Sequence, residues 1–197
     1  MIIEKIELLN KGKRRIWLDN GTFFSLYSKE ARSYELEPEA WLSKEQYQSI
    51  LEEILIPRAK RRAMHLLERM DRTEAQLREK LKANEYPPEA IDEAVEYVKG
   101  YRYIDDLRYA CSYIRYRSHS HSRRQLTAAL YQKGVSRELV SQALEEEYKE
   151  EDESPKILKW MEKKHYDAKE ADTKQKQRMY QFLMRKGFRS EDILRML

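Results

Sequence analysis

The stretch Leu126-Thr127-Ala128-Ala129-Leu130-Tyr131-Gln132-Lys133-Gly134-Val135-Ser136-Arg137-Glu138-Leu139-Val140-Ser141-Gln142-Ala143-Leu144 decides the fold. Leu126 and Leu130 stand one helical turn apart, and Val140 and Leu144 do the same further on. Gly134 follows Lys133 where a helix end takes a left-handed residue. The register is apolar, then apolar at +4, +9, +14 and +18. It occurs earlier as Leu77, Leu81, Tyr86, Ile91 and Val95, and later as Met179, Leu183, Phe188, Ile193 and Leu197. The copies start 49 and 53 residues apart. Self-similarity at such a period marks a tandem array, in which each unit buries its face against a neighbour. An array offers a long surface to a partner and, by itself, no catalytic pocket.

Outward from this stretch, each copy reads as three helices. Ala63–Met70, Thr73–Ala83 and Glu89–Lys99 form the first. Asp106–Arg117, Arg123–Gln132 and Arg137–Tyr148 form the second. Lys156–Lys164, Lys174–Arg185 and a closing segment form the third. Thr73 is a candidate N-cap, Gly134 and Gly187 are candidate C-caps, and Asn84 takes the left-handed place in the first copy, which has Glu85 instead of glycine. The acidic run Glu145–Glu153 reads as a helix end plus linker. The first residues differ in kind. Ile2–Leu9, Arg14–Leu18 and Thr22–Tyr27 are β-rich runs, and Asn20-Gly21 is a hairpin signal, so a small meander is expected with Trp17 between it and the helices. Lys29–Leu36 reads as a short helix. Ser43 with Gln46 opens another through a capping box, and Pro57 should kink or end it. The fold class is therefore mainly α: three three-helix repeats, elongated and curved, behind an N-terminal β-meander. The expected bounds are 1–56, 57–100, 101–150 and 151–197.

The charged fraction is 38% and the aromatic fraction 11%, which suits surface-rich helices better than disorder. One cysteine, Cys111, excludes an internal disulfide framework and a thiolate metal cluster. No apolar run reaches the roughly 20 residues of a membrane span, and the first residues do not resemble a signal peptide. A cytoplasmic protein is expected. Net charge is only +4 but unevenly spread. Arg58, Lys60, Arg61 and Arg62 form one basic cluster. Arg115, Arg117, Arg123 and Arg124 form another, around His119 and His121. Such clusters suit a polyanion or an acidic protein groove; the plain alternative is solvated helix faces.

Tyr103-Ile104-Asp105-Asp106 opens the helix that carries Leu107, Ala110, Cys111 and Ile114 on one face. Asp105 there reads as a cap, since no third acid or histidine supports a metal or acid–base site. The opposite face carries Tyr109, Tyr113 and Tyr116, with Arg108 and Arg115 on one flank. Aromatics interleaved with arginines can stack on bases or anchor a protein interface, or simply pack mid-array. His119 and His121 lack further ligands for a metal. No phosphate-binding glycine loop or hydrolase motif is present, so neither an enzyme nor a cofactor is expected.

Arg69-Met70-Asp71-Arg72-Thr73-Glu74-Ala75-Gln76-Leu77-Arg78-Glu79-Lys80-Leu81 resembles the first-repeat pattern of the bacterial RecX family. Tyr103-Ile104-Asp105-Asp106 with Tyr109-Ala110 and Tyr113-Ile114 resembles the second, continued by Gln125-Leu126, Leu130 and Lys133-Gly134-Val135. Leu183 and Lys186-Gly187-Phe188 echo it in the third. The resemblance spans roughly residues 58–197. Departures are Glu85 and the Ser118–Ser122 tract, where glycines are usual. The resemblance implies a regulator that binds the RecA recombinase along its filament on single-stranded DNA and inhibits filament growth, ATP hydrolysis and strand exchange. It implies no catalytic site.

Under that resemblance the expected partner contacts are Arg58, Lys60, Arg61, Arg62, Arg72, Arg108, Tyr109, Tyr113, Arg115, Tyr116, Arg117, Arg123 and Arg124. The expected caps are Thr73, Asp105, Gly134 and Gly187. Single-stranded DNA, and double-stranded DNA more weakly, are expected as further ligands of a monomer. The rival readings are a helix-turn-helix-like or single-strand DNA binder without a recombinase, and a scaffold for another acidic protein. Against the first rival, the helix opening Arg137-Glu138-Leu139-Val140 ends in acids and is a poor groove reader.

Overall fold

The computed structural model describes residues 1–148 and 153–197. It divides into two compact units, Met1–Ile104 and Asp105–Leu197.

The first unit opens with an antiparallel three-stranded meander. Strands β1 (Ile3–Leu8), β2 (Lys13–Leu18) and β3 (Phe23–Tyr27) pair in sequence order. Ile6 stands opposite Ile16, and Ile16 opposite Phe24. Side chains alternate between faces, so Ile16, Leu18, Phe24 and Leu26 go into the core. Trp17 goes to the other face. It does not fill the space between sheet and helices; half-buried, it meets Phe23 with ring centroids 4.6 Å apart and points its Nε1 at Glu7, 3.4 Å away. Period-2 alternation beside two core residues fixes that outcome.

Helix α1 (Ser28–Ser33) follows, then α2 (Lys44–Ile50), capped by Ser43 and Gln46 in the expected box. Pro57 neither ends nor breaks the helical run. The turn Leu51–Leu55 widens to π geometry, the Ile56 N–H reaches back five residues to the Leu51 carbonyl, and α3 (Ile56–Arg69) continues with Pro57 in its first turn. Proline offers no N–H, and the widened turn absorbs the lost bond. Helices α4 (Glu74–Lys82) and α5 (Pro88–Gly100) complete the first repeat. The sheet's inner face, α1 to α3 and Leu77, Leu81, Ala90, Ile91, Val95 and Val98 form one continuous core.

The second unit holds α6 (Asp106–Arg117), α7 (Arg123–Gln132) and α8 (Arg137–Glu147), then α9 (Ser154–Lys163), α10 (Thr173–Arg185) and α11 (Ser190–Met196). Ala110, Cys111, Ile114, Leu126, Leu130, Val135, Val140 and Leu144 make one core, and Ile157, Met161, Met179, Leu183, Phe188 and Ile193 another. Of the acidic run, Glu145 to Glu147 end α8, while residues 149–152 lie outside the described residues.

The recurring register has a recurring physical cause. The middle helix of each repeat starts with a capping box: Thr73 with Gln76, Ser122 with Gln125, Asp172 with Gln175. Each ends with a left-handed residue and a 6→1 backbone bond, from Tyr86 to Leu81, Val135 to Leu130, and Phe188 to Leu183. The left-handed residues are Glu85 (φ 65°), Gly134 (φ 81°) and Gly187 (φ 83°). Asn84 does not take that role in the first repeat. Its side chain instead donates to the Lys80 carbonyl and accepts from Arg62 Nε, and Glu85 is held by Arg15 of β2.

Candidate functional site

The basic residues of α3 are largely engaged within the first unit. Arg58 binds Glu30 of α1, with its guanidinium 4.9 Å from the Tyr27 ring. Lys60 lies 3.3 Å from Glu93 and 5.3 Å from the Tyr97 ring centroid. Arg62 Nε donates to Asn84 Oδ1 at 3.0 Å. Arg61 alone of the four is exposed. Half-buried Tyr86 sits near this cluster: burial pushes its phenol up, against the opposing pull of Arg58, Arg62 and Arg61. Arg72 is half-buried just before Thr73, with its Nε shielded and making no hydrogen bond to a described residue. Thr73 itself is fully buried, and its Oγ1 accepts from the Gln76 N–H at 3.2 Å.

Along α6, Asp105 Oδ1 accepts from the Arg108 N–H at 2.9 Å, which caps the helix. The three tyrosines opposite its apolar face do not share one environment. Tyr109 and Tyr113 are half-buried against the second-repeat core, stacked at 6.5 Å, with Lys133 Nζ 6.0 and 5.3 Å from their centroids. Tyr116 is 71% exposed, with the Arg117 guanidinium 5.5 Å from its ring and His119 edge-on at 6.4 Å. Arg115 is bound through Nε and Nη2 to Glu147 of α8, which raises its own pKa and lowers that of the carboxylate. Arg108 is exposed on the same helix.

Cys111 is buried, its Sγ 3.4 Å from Glu146; burial, then the Glu146 bond, pushes the thiol up to about 11. A thiol so raised is a packing group, since only the thiolate attacks. His121 Nδ1 lies 2.9 Å from Ser120 Oγ, and burial followed by Arg117 holds its pKa below the usual imidazole value. Among the described residues no three His, Cys, Asp or Glu come together as metal ligands.

The Ser118–Ser122 tract ends in a junction. Ser122 is fully buried; its Oγ accepts from the Gln125 N–H at 3.3 Å and donates to the Lys186 carbonyl at 2.7 Å. A Cβ on Gly187 would stand 2.8 Å from Arg124 Cβ and 3.0 Å from Ser122 Oγ. The start of α7 thus rests on the end of α10, which brings Arg124 beside Lys186-Gly187 across 62 residues of sequence.

Two features escaped the sequence reading. Tyr97, Tyr101 and Tyr103 form an exposed ladder in the first unit, at 5.0 and 6.0 Å between rings. Trp160 and Phe182 meet edge to face at 5.6 Å in the third repeat, ringed by lysines. The signal for the second was there in Trp160-x-x-Lys163 and Phe182-x-x-x-Lys186, spacings that place a lysine over a ring one turn away.

These features define a class: a mainly helical protein of tandem three-helix domains behind a small antiparallel sheet, with charged and aromatic residues on its surface. None of its described helices is long and apolar enough to cross a membrane. Residues 59–97, 105–144 and 151–197 match the first, second and third three-helix domains of RecX in turn. The chain belongs to the RecX family. It is 32% identical to the regulatory protein RecX of Caldanaerobacter subterraneus subsp. tengcongensis, over 96% of this chain and 90% of that protein. The regulatory protein RecX of Clostridium beijerinckii is 28% identical over 95% and 90%. A crystal structure of a regulatory protein RecX superposes with a TM-score of 0.63 at 26% identity, covering 97% of this chain and 96% of that one. RecX from Lactobacillus salivarius shares the fold, with a TM-score of 0.59 at 22% identity over 70% of this chain and 91% of that one.

Proposed function

We propose that this chain binds the RecA recombinase filament on single-stranded DNA and inhibits its growth, ATP hydrolysis and strand exchange. It acts as a cytoplasmic monomer, by binding and without a reaction of its own. The observation that supports this reading most is the match of all three repeats, in order, to the RecX domains. Repeats bounded at 57–100, 101–150 and 151–197, behind the segment 1–56, each make a modest contact. Tethering makes them act together through effective concentration. Regulation of this kind needs only tighter binding to the capped or shortening filament than to the growing one.

Among the exposed members of the expected contact set, Arg61, Tyr116, Arg117 and Arg124 are the foremost anchors. Arg108, Arg123 and Arg72 supplement them. Arg58, Lys60, Arg62 and Arg115 serve chiefly to hold helices together, and Tyr109 and Tyr113 to pack α6. The test adds the protein to recombinase, single-stranded DNA and ATP. ATP hydrolysis falls and filaments shorten with increasing protein; unchanged hydrolysis and filament length at saturation refute the reading.

A further inference from the structure

The third repeat holds a cationic aromatic surface that the expected contact set does not contain. Lys186 Nζ lies 4.4 Å from the Trp160 ring centroid and 5.5 Å from that of Phe182. Lys163 Nζ lies 5.2 Å from Trp160, and Lys164 Nζ 5.1 Å from Phe182. A ring face attracts an ammonium group without neutralising it, so the three cations are positioned yet keep their charge for a ligand. Residues 151–197 contain twelve Lys and Arg against nine Asp and Glu, a net +3, where the whole chain is +4. The third repeat is thus the most positive segment of the chain, by one charge over residues 101–150.

A cleft opens beside these lysines. Phe182 and Lys164 wall an open cavity of about 510 Å³, together with Gln175, Arg178 and Tyr166. The Tyr166 hydroxyl is shielded and makes no hydrogen bond to a described residue. Asp167 and Glu170 also line it. Their carboxylates repel phosphates from that end and can accept from exocyclic base amino groups. The Ser122–Lys186 bond also sets Arg124 next to Gly187.

The geometry points to a site for single-stranded nucleic acid on the third repeat: an unpaired base enters the cleft against Phe182, and Lys163, Lys164 and Lys186 meet the flanking phosphates. A duplex keeps its bases stacked and cannot fill the cleft. An acidic protein would engage the lysines and leave the aromatic wall and the buried hydroxyl unused. This deepens the proposed function, which sets the chain on single-stranded DNA, and it is tested without recombinase so that the two can fail separately.

The full chain is titrated into a fluorescein-labelled deoxycytidine oligonucleotide, whose bases carry the exocyclic amino group, and followed by anisotropy. Lys163→Ala, Lys164→Ala and Lys186→Ala together weaken binding at least tenfold, with an unchanged circular dichroism spectrum. The slope of log K on log salt falls by about two, from about 0.7 per phosphate contact on a single strand. Trp17→Phe with Trp41→Phe leaves Trp160 as the sole tryptophan, and its emission changes as the oligonucleotide saturates. The proposal is overturned if the wild type does not bind, or if the triple variant binds as the wild type does. It is equally overturned if Trp160 emission is silent at saturation, or if duplex DNA or polyglutamate binds as tightly as the single strand.

Discussion

Replacing Gly187 by alanine tests the junction between the second and third repeats. Two independent costs arise at that position. At φ 83° an L-residue is strained, by about 1–2 kcal/mol. Its Cβ would also stand 2.8 Å from Arg124 Cβ, on the first turn of α7, where the atom is carried by the backbone and cannot swing aside. Either α7 or the Lys186-Gly187 turn must move, and overpacking of this sort costs about 1–3 kcal/mol. The movement also stretches the 2.7 Å bond from Ser122 to the Lys186 carbonyl. The expected loss is about 2–5 kcal/mol in the second unit, measured by urea unfolding with Trp160 as the only tryptophan. Gly21→Ala, at φ 77° with open space around its Cβ, carries the strain alone and loses about 1–2 kcal/mol in the first unit. Ser122→Ala acts on the same junction, so the double variant departs from additivity by about 0.5 kcal/mol or more. A loss at Gly187 no larger than that at Gly21, or strict additivity with Ser122→Ala, refutes the close-packed junction.

At Glu85, glycine relieves a strained φ of 65° while alanine keeps it, and both lose the Arg15 contact; urea unfolding should rank Glu85→Gly above Glu85→Ala by about 1 kcal/mol. Burial opposes the charge of Glu74, but bonds from Arg78 and Lys99 outweigh it and hold the carboxyl below its usual range. The Glu74 contribution is present above the unfolded carboxyl value of about 4.3 and disappears as pH falls through the lower folded value. Stability measured across acid pH should therefore fall less steeply in Glu74→Gln than in the wild type. Cys111 should react slowly with a thiol reagent at neutral pH, at a rate that rises with urea; fast labelling of the native chain would contradict its burial. Tyr116→Ala, at a 71% exposed position, should leave stability within about 0.5 kcal/mol while weakening recombinase inhibition. Equal inhibition would remove Tyr116 from the contact surface.

The threefold register was legible because burial and capping repeat with it. Leu77, Leu126 and Met179 are buried at corresponding places, and each middle helix closes with the same 6→1 bond. The failures share a cause. Asn84 is expected to take the left-handed role because Glu85 stands where the other copies have glycine, but a partner from β2, 70 residues distant, offsets the strain at Glu85. The rule for an α-helical turn has Pro57 kink or end the helix, and the chain uses a π turn instead. Trp17 is expected between the meander and the helices, but strand alternation beside Ile16 and Leu18 sends it outward. In each case a local preference lost to a tertiary contact or to a geometry outside the rule. The candidate contacts were legible as charge, but charge in the sequence does not show which acid or ring each cation meets.

That last distinction separates the arginines of the second repeat from the lysines of the third. Arg115 is two-thirds exposed, yet two of its nitrogens are bound to Glu147. A carboxylate or phosphate that takes Arg115 must displace Glu147, so one anionic partner is exchanged for another and the net gain is small. Lys186 is held by two neutral rings. A phosphate arriving there adds a charge pair and displaces no acid, and it releases counterions from the nucleic acid as it binds. On the proposed reading a cation of the third repeat therefore contributes more to strand binding than Arg115 does. The middle repeat keeps its shape through its arginines, with Tyr116, Arg117 and Arg124 left to reach outward. If the proposed cleft site is right, the third repeat supplies the stronger hold on an anionic strand.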